Sequence, residues 1–187
     1  MTPRAAATVI LMRDHEGALE LLMVRRTPAA RFMAGFWVFP GVALDAADGD
    51  GQAGLQRAAA RELEEEAAVS LTAGWELVPF ARWITPAQSS IRFDTWFYLA
   101  SAPAPADPRV DGVEIVDWRW ITPAAGLAAF RSGEFELALP TEKQLESLRG
   151  FASAQAALGH ARARVDQIKP IEPRIEGVGD QARIVLP

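Results

Sequence analysis

The stretch Arg61-Glu62-Leu63-Glu64-Glu65-Glu66-Ala67-Ala68-Val69 decides how this chain is read. It closes a run from Leu55 to Val69 that lacks proline and glycine and is dominated by Ala, Arg, Leu and Glu, all strong helix formers apart from context. On a helix, Glu62 stands three residues before Glu65 and four before Glu66, so the three carboxylates share one face. Like charges at that spacing repel by about 0.2–0.5 kcal/mol per pair. Two readings of the face stay open at this point. One is a solvated acidic surface, partly neutralised by Arg57 and Arg61. The other is a site for a hard divalent cation such as Mg2+ or Mn2+, which takes oxygen ligands.

Before the helix lie apolar runs at residues 5–12 and 18–25, split by Arg13-Asp14-His15-Glu16-Gly17, a hairpin signal. Phe36-Trp37-Val38-Phe39 is a third run, stopped by Pro40-Gly41, and an Asp/Gly-rich loop is expected from Asp45 to Gly54. After the helix, strands are expected at 77–83, 93–99 and 115–120. Thr122-Pro123 caps and opens a short helix to about Arg131, and Pro140-Thr141-Glu142 opens another, in one or two pieces, to about Arg164. Pro170, Pro173, Gly177 and Gly179 mark the remainder as loop or a final hairpin. The order of elements is that of a layered α/β domain.

The chain has 187 residues, enough for one compact domain and too few for two ordinary ones. Its 19 basic and 24 acidic residues give a net charge of −5, which argues against a wholly basic nucleic-acid-binding surface. With no cysteine there is no disulfide, thiolate nucleophile or Cys-ligated metal. His15 and His160 are the only histidines and read as surface residues, so a two-His zinc motif is excluded. No stretch approaches the roughly 20 apolar residues that span a bilayer. Residues 5–12 read as a strand, not a signal peptide, and the end is no targeting address, so a cytoplasmic protein without a membrane partner is expected.

The Phe39-Pro40-Gly41 turn, the loop and the acidic helix together resemble the Nudix hydrolase family, whose box reads G-x5-E-x7-R-E-U-x-E-E-x-G-U, U being a bulky aliphatic residue. Arg61, Glu62, Leu63, Glu65, Glu66 and Val69 match it in register. Residues 31–41, Trp83-Ile84-Thr85-Pro86, Arg92-Phe93-Asp94-Thr95, Pro140-Thr141 and the closing Ile184-Val185-Leu186-Pro187 are similar to the branch that contains the peroxisomal coenzyme A diphosphatase. The resemblance implies a Nudix-type α/β/α sandwich with a mixed sheet, formed by residues 1–187 as a single domain with a helical C-terminal extension from about residue 140.

It also implies hydrolysis, at the pyrophosphate bond, of a nucleoside diphosphate linked to another moiety. Coenzyme A or acyl-coenzyme A is favoured, with ADP-ribose, nucleotide sugars and dinucleoside polyphosphates left open. Mg2+ or Mn2+ would be held by Glu62, Glu65, Glu66 and the Gly41 carbonyl, with Arg61 orienting a carboxylate. The general base would be Glu114 or Glu65. Arg26, Arg31 and Arg92 would meet phosphate, since a guanidinium can make two hydrogen bonds at once. Trp37, with Trp83 and Trp96 beside it as alternatives, would stack on a base, although aromatic residues in strands are most often core. The segment from Pro140 would shape the pocket or a homodimer contact.

Three positions depart from the pattern. Val42 replaces the second glycine after the proline. Asp48, in a longer loop, stands nearest the box's first glutamate; with Asp45 it reads as turn chemistry or an indirect metal contact. Ala68 replaces the glycine that normally permits a left-handed exit, so the helix is expected to run on a little, with Gly74 serving the turn. These departures keep a second reading alive, a Nudix-like module that binds or senses a nucleotide without cleaving it.

Overall fold

A computed structural model describes residues 2–71, 75–177 and 183–187. In chain order its elements are β1 (Arg4–His15), β2 (Ala18–Arg26), β3 (Trp37–Val38), β4 (Gly41–Ala43), α1 (Gly51–Ala67), β5 (Val78–Ile84), β6 (Phe93–Ser101), β7 (Ile115–Ile121), α2 (Pro123–Ser132), α3 (Leu139–Leu148), α4 (Ala154–Arg162), β8 (Pro170–Ile171), β9 (Arg174–Glu176) and β10 (Arg183–Val185). The main sheet runs β3-β2-β1-β6-β5-β8, with β4 also paired to β1 and β7 to β2. β1 and β6 are parallel, as are β5 and β8, while β1–β2, β2–β7 and β5–β6 are antiparallel. The sheet is therefore mixed, as expected.

Period-two alternation on β1 divides the core between the two faces. Ala7, Val9 and Leu11 point to the face covered by α1, where they meet Leu55, Ala58, Leu63 and Ala67. Ile10 and Met12 point to the opposite face and join Leu127, Leu145, Leu148 and Leu158 of α2, α3 and α4. The helices sandwich the sheet, in the α/β/α layering that the resemblance implies.

Two ends of α1 differ from expectation. The helix starts at Gly51, not Leu55. Gly54 is inside it because a Cβ there would lie 3.2 Å from the Asp48 carbonyl oxygen and 2.7 Å from the Gly49 carbonyl carbon, so close packing against the preceding turn overrides glycine's poor propensity. At the far end the helix does not run on. Ala68 itself takes the left-handed conformation at φ 53°, ψ 31°, and the Val69 N–H reaches back to the Leu63 carbonyl at 3.4 Å, closing the turn as a glycine would. Gly74 and Gly179, also given turn roles, lie outside the described residues. The Thr122 cap forms as predicted, its hydroxyl accepting the Ala125 N–H at 3.2 Å. The long C-terminal helix is two pieces, separated around Gly150 and restarted by the Ser153 cap. β9 and β10 pair as a final hairpin.

Candidate active site

The box residues occupy the C-terminal half of α1, where the helix passes over β1 and β4. Glu62 and Glu66, one turn apart, are only 8% and 6% exposed, whereas Glu65 faces solvent. Burial without matching cations penalises ionised carboxylates. Desolvation therefore raises the Glu62 carboxyl, with neighbouring Glu65 and Glu114 adding to it and Arg61 opposing. Burial pushes Glu66 up to about 8, reinforced by Glu62 and Glu114, against the Gly41 N–H and Arg26. The Gly41 N–H donates to Glu66 Oε2 at 3.1 Å. Gly41 has no room for a side chain: a Cβ would sit 2.7 Å from the Ala7 carbonyl oxygen.

Arg61 bridges the acidic groups. Its Nε and Nη2 donate to Asp48 Oδ1 and Oδ2 at 3.2 and 3.1 Å, and its Nη1 donates to Glu62 Oε1 at 3.1 Å and Glu65 Oε2 at 3.0 Å. Asp48 is 6% exposed and is held below the ordinary carboxylate range chiefly by this bond, helped by the Asp45 N–H. Arg57 Nε adds a bond to the Asp48 carbonyl at 2.8 Å. In the sequence Asp48 reads as turn chemistry or an indirect metal contact. Its position beside the box's first acid was the available signal; its partner, thirteen residues on, was not visible.

Glu114 is exposed at the head of β7, near enough to raise both Glu62 and Glu66. Its loop is fixed by Asp111, whose Oδ1 accepts the N–H groups of Val113, Glu114 and Ile115 at 3.0 to 3.1 Å. The Glu114 carbonyl accepts the Thr27 N–H at 2.8 Å, which ties it to the residue after Arg26. Asp111 went unremarked in the sequence, although Asp before Gly112 is a turn signature.

A cleft of about 650 Å3 borders this end of the molecule, reaching Arg26 and Gly41 on one side and Ala138–Thr141 at the start of α3 on another. Its walls are mainly apolar, including Phe32, Met33, Phe39, Phe93 and Ile184, and among the described residues its charged lining consists of Arg4 and Arg26 without a carboxylate. Arg4 carried no sequence signal.

Other predicted contacts fall elsewhere. Trp37 is 3% exposed and stacks on Phe135 with ring centres 4.4 Å apart, so it belongs to the core and is not presented to a base. Arg92 is engaged by the Thr85 carbonyl at 3.0 Å and by Glu172 at 2.6 Å, a structural tie to the C-terminal segment, and does not line the cleft. Arg31 is exposed in the 27–35 loop and does not line it either. Trp83 lines the cleft but is 4% exposed. Trp96 lies under Arg82, 5.3 Å from guanidinium to ring.

The donor set fits a hard cation in chemistry, being all oxygen, with two buried carboxylates one turn apart whose mutual repulsion a cation would relieve. Among the described residues, no three acidic or histidine side chains are already gathered around one point, and Glu65 is turned onto Arg61.

The NUDIX domain family model matches residues 2–138, and the chain belongs to the Nudix hydrolase family, whose enzymes use divalent metal ions. More particularly, it is 30% identical over 103 residues to an acyl-coenzyme A diphosphatase of Homo sapiens, an overlap of 52% of this chain and 28% of that protein. A second curated relative, from Caenorhabditis elegans, is 28% identical across 78% of this chain and 60% of its own length. The chain thus spans less than two thirds of either relative. The fold is similar to a Nudix hydrolase from Alicyclobacillus acidocaldarius, with TM-score 0.76 and 24% identity over 85% of this chain and 96% of that one. It is also similar to the Nudix domain of Shewanella oneidensis NrtR in complex with ADP ribose, with TM-score 0.60 and 21% identity over 80% of this chain and 88% of that one. No helix among the described residues is long and apolar enough to cross a membrane.

Proposed function

We propose that this protein is a Mg2+- or Mn2+-dependent diphosphatase that splits the pyrophosphate bond of a nucleoside diphosphate linked to another moiety, with coenzyme A or acyl-coenzyme A as substrate. The observation that carries the reading is the pair of buried carboxylates, Glu62 and Glu66, the second bonded to Gly41 in the wall of a cleft whose own lining is cationic and apolar. The likeness to an acyl-coenzyme A diphosphatase supports the choice of substrate. The apolar walls suit the uncharged part of such a molecule, and residues 1–187 act as one unit, since the segment beyond 138 supplies part of those walls.

Glu62, Glu65, Glu66 and the Gly41 carbonyl would hold the cation. A bound divalent ion offsets the diphosphate charge and acidifies water. Water adds to one phosphorus, the bond from that phosphorus to the bridging oxygen breaks, and the water proton passes to a carboxylate. Glu114 takes that role in this reading because its backbone is pinned on both sides and its carboxylate lies within electrostatic reach of Glu62 and Glu66. Glu65 is the alternative base. Arg61 is a positioning residue, anchored on Asp48 and holding Glu62 and Glu65. Arg26 binds phosphate oxygens from the cleft wall.

A second reading, a nucleotide-binding or regulatory module, is favoured by the bond that keeps Glu65 on Arg61. A panel of coenzyme A, acyl-coenzyme A, ADP-ribose and dinucleoside polyphosphates, with products identified by mass spectrometry, separates the two. Metal-dependent cleavage of at least one supports the hydrolase. Calorimetric binding of intact ligand with no product after long incubation supports the module.

A further inference from the structure

The cleft has a second polar feature, opposite in character to the carboxylates. Helix α3 is ten residues long and begins at the cleft, with Ala138 at its N-cap offering no side-chain oxygen. A helix leaves its first N–H groups without intrahelical partners. Pro140 has none to leave, and the Glu142 N–H is bonded to the Ala138 carbonyl at 3.0 Å. The N–H groups of Leu139 and Thr141 have no partner among the described residues.

Thr141 gives a second, independent sign. Its residue is 5% exposed and lines the cleft, yet among the described residues its hydroxyl has no hydrogen-bond partner. A hydroxyl of this kind can donate one hydrogen bond and accept others. Among the described residues, the fully enclosed side-chain atoms that lack a partner are the indole nitrogens of Trp83 and Trp120. The Thr141 oxygen is not one of them, so open space reaches it, and the space bordering Thr141 is the cleft. Two N–H donors, a hydroxyl and the positive end of the helix dipole then converge on a cleft whose charged lining is Arg4 and Arg26.

We propose that the N-terminus of α3 and the Thr141 hydroxyl form a phosphate-oxygen subsite of the cleft, set apart from the carboxylates of α1. This deepens the diphosphatase reading and rests on it for the nature of the ligand. The phosphate comes either from the diphosphate itself or from a separate phosphomonoester elsewhere on the substrate.

Calorimetric titration in chelator, where no turnover occurs, tests the subsite with adenosine 5′-diphosphate for the first source and adenosine 3′,5′-bisphosphate for the second. Thr141→Val is expected to weaken one of the two by about tenfold, the scale of one hydrogen bond to a charged group, while Thr141→Ser restores it. Ala138→Asp supplies a side-chain cap to the same N–H groups. It is expected to raise the melting temperature while weakening the same ligand by a similar factor, a combination that a purely structural role does not give. Dissociation constants for both ligands that are unchanged in Ala138→Asp and in Thr141→Val overturn the proposal, as does failure of the wild type to bind either. Because the readout is binding without metal, loss of the diphosphatase reading through absent turnover is recorded separately.

Discussion

The two faces of the sheet bury different kinds of polar group. On the α1 side lie the buried acids, Asp48 just before the helix and Glu62 and Glu66 within it; among the described residues, the buried polar residues on the α2–α4 side are the uncharged Thr141 and Gln144. An acid taken out of water destabilises the fold unless it is bonded or neutral. Asp48 meets that condition through Arg61, whereas Glu66 has one N–H and a carboxyl raised by burial. The α1 face therefore carries its buried acids at the expense of stability, and apolar packing on both faces offsets that cost.

The largest expected effect breaks the contrast at its charged end. Glu66→Gln should lower turnover at least about a hundredfold, as expected for loss of a charge that stabilises the transition state, without unfolding the protein. Steady-state kinetics with circular dichroism checks this; unchanged turnover removes Glu66 from the site. Next, truncating a core side chain on the opposite face, away from the cleft, should act on stability alone. Leu127, 2% exposed, should lose about 2–5 kcal/mol on Leu127→Ala, with kcat unaltered at temperatures where the variant is folded. Denaturant unfolding measures the loss, and a changed kcat would tie that face to the chemistry.

A pH titration sharpens the same comparison. The folded Glu66 carboxyl sits at about 8 against 4.5 for the ordinary group, so between these values the unfolded chain has released a proton that the folded one keeps. The metal-free protein should lose thermal stability as pH rises from about 4.5 to 8, with Glu62 shifted in the same direction. Glu66→Gln should flatten this fall. Asp48 acts with the opposite sign, its contribution vanishing as pH drops below the ordinary carboxylate range. The smallest effect concerns the helix exit: Ala68→Gly should stabilise by about 0.5–1 kcal/mol, seen as a higher denaturation midpoint with activity unchanged. A destabilised Ala68→Gly would mean that the alanine methyl contributes more than its left-handed backbone costs.

What was legible in the sequence was what repeats locally. The apolar runs of β1 and β2 and the four-residue spacing of Glu62 and Glu66 depend on neighbours a few residues away; the strands form where the runs stand, and Glu62 and Glu66 share a buried face, while Glu65 is exposed and held by Arg61. The start of α1 was misplaced because Gly54 is chosen by contact with the Asp48–Gly49 backbone, which no propensity records. The exit was misplaced because alanine adopts a conformation it disfavours when the surrounding bonds hold it. Arg92 and Trp37 were assigned to substrate because their partners, Glu172 and Phe135, lie about eighty and a hundred residues away, in contacts that exist only after folding. Asp48 and Arg61 span the middle distance: each stands out in the sequence, but the bond between them exists only in the fold.

Gly41 works as a spacer gauge. Its bare α-carbon lets β4 lie against Ala7 and Thr8 closer than any side chain permits, while its N–H holds Glu66. Adding even a methyl would pry strand and acidic helix apart together, so the sheet itself meters how near that acid can come to whatever the cleft receives.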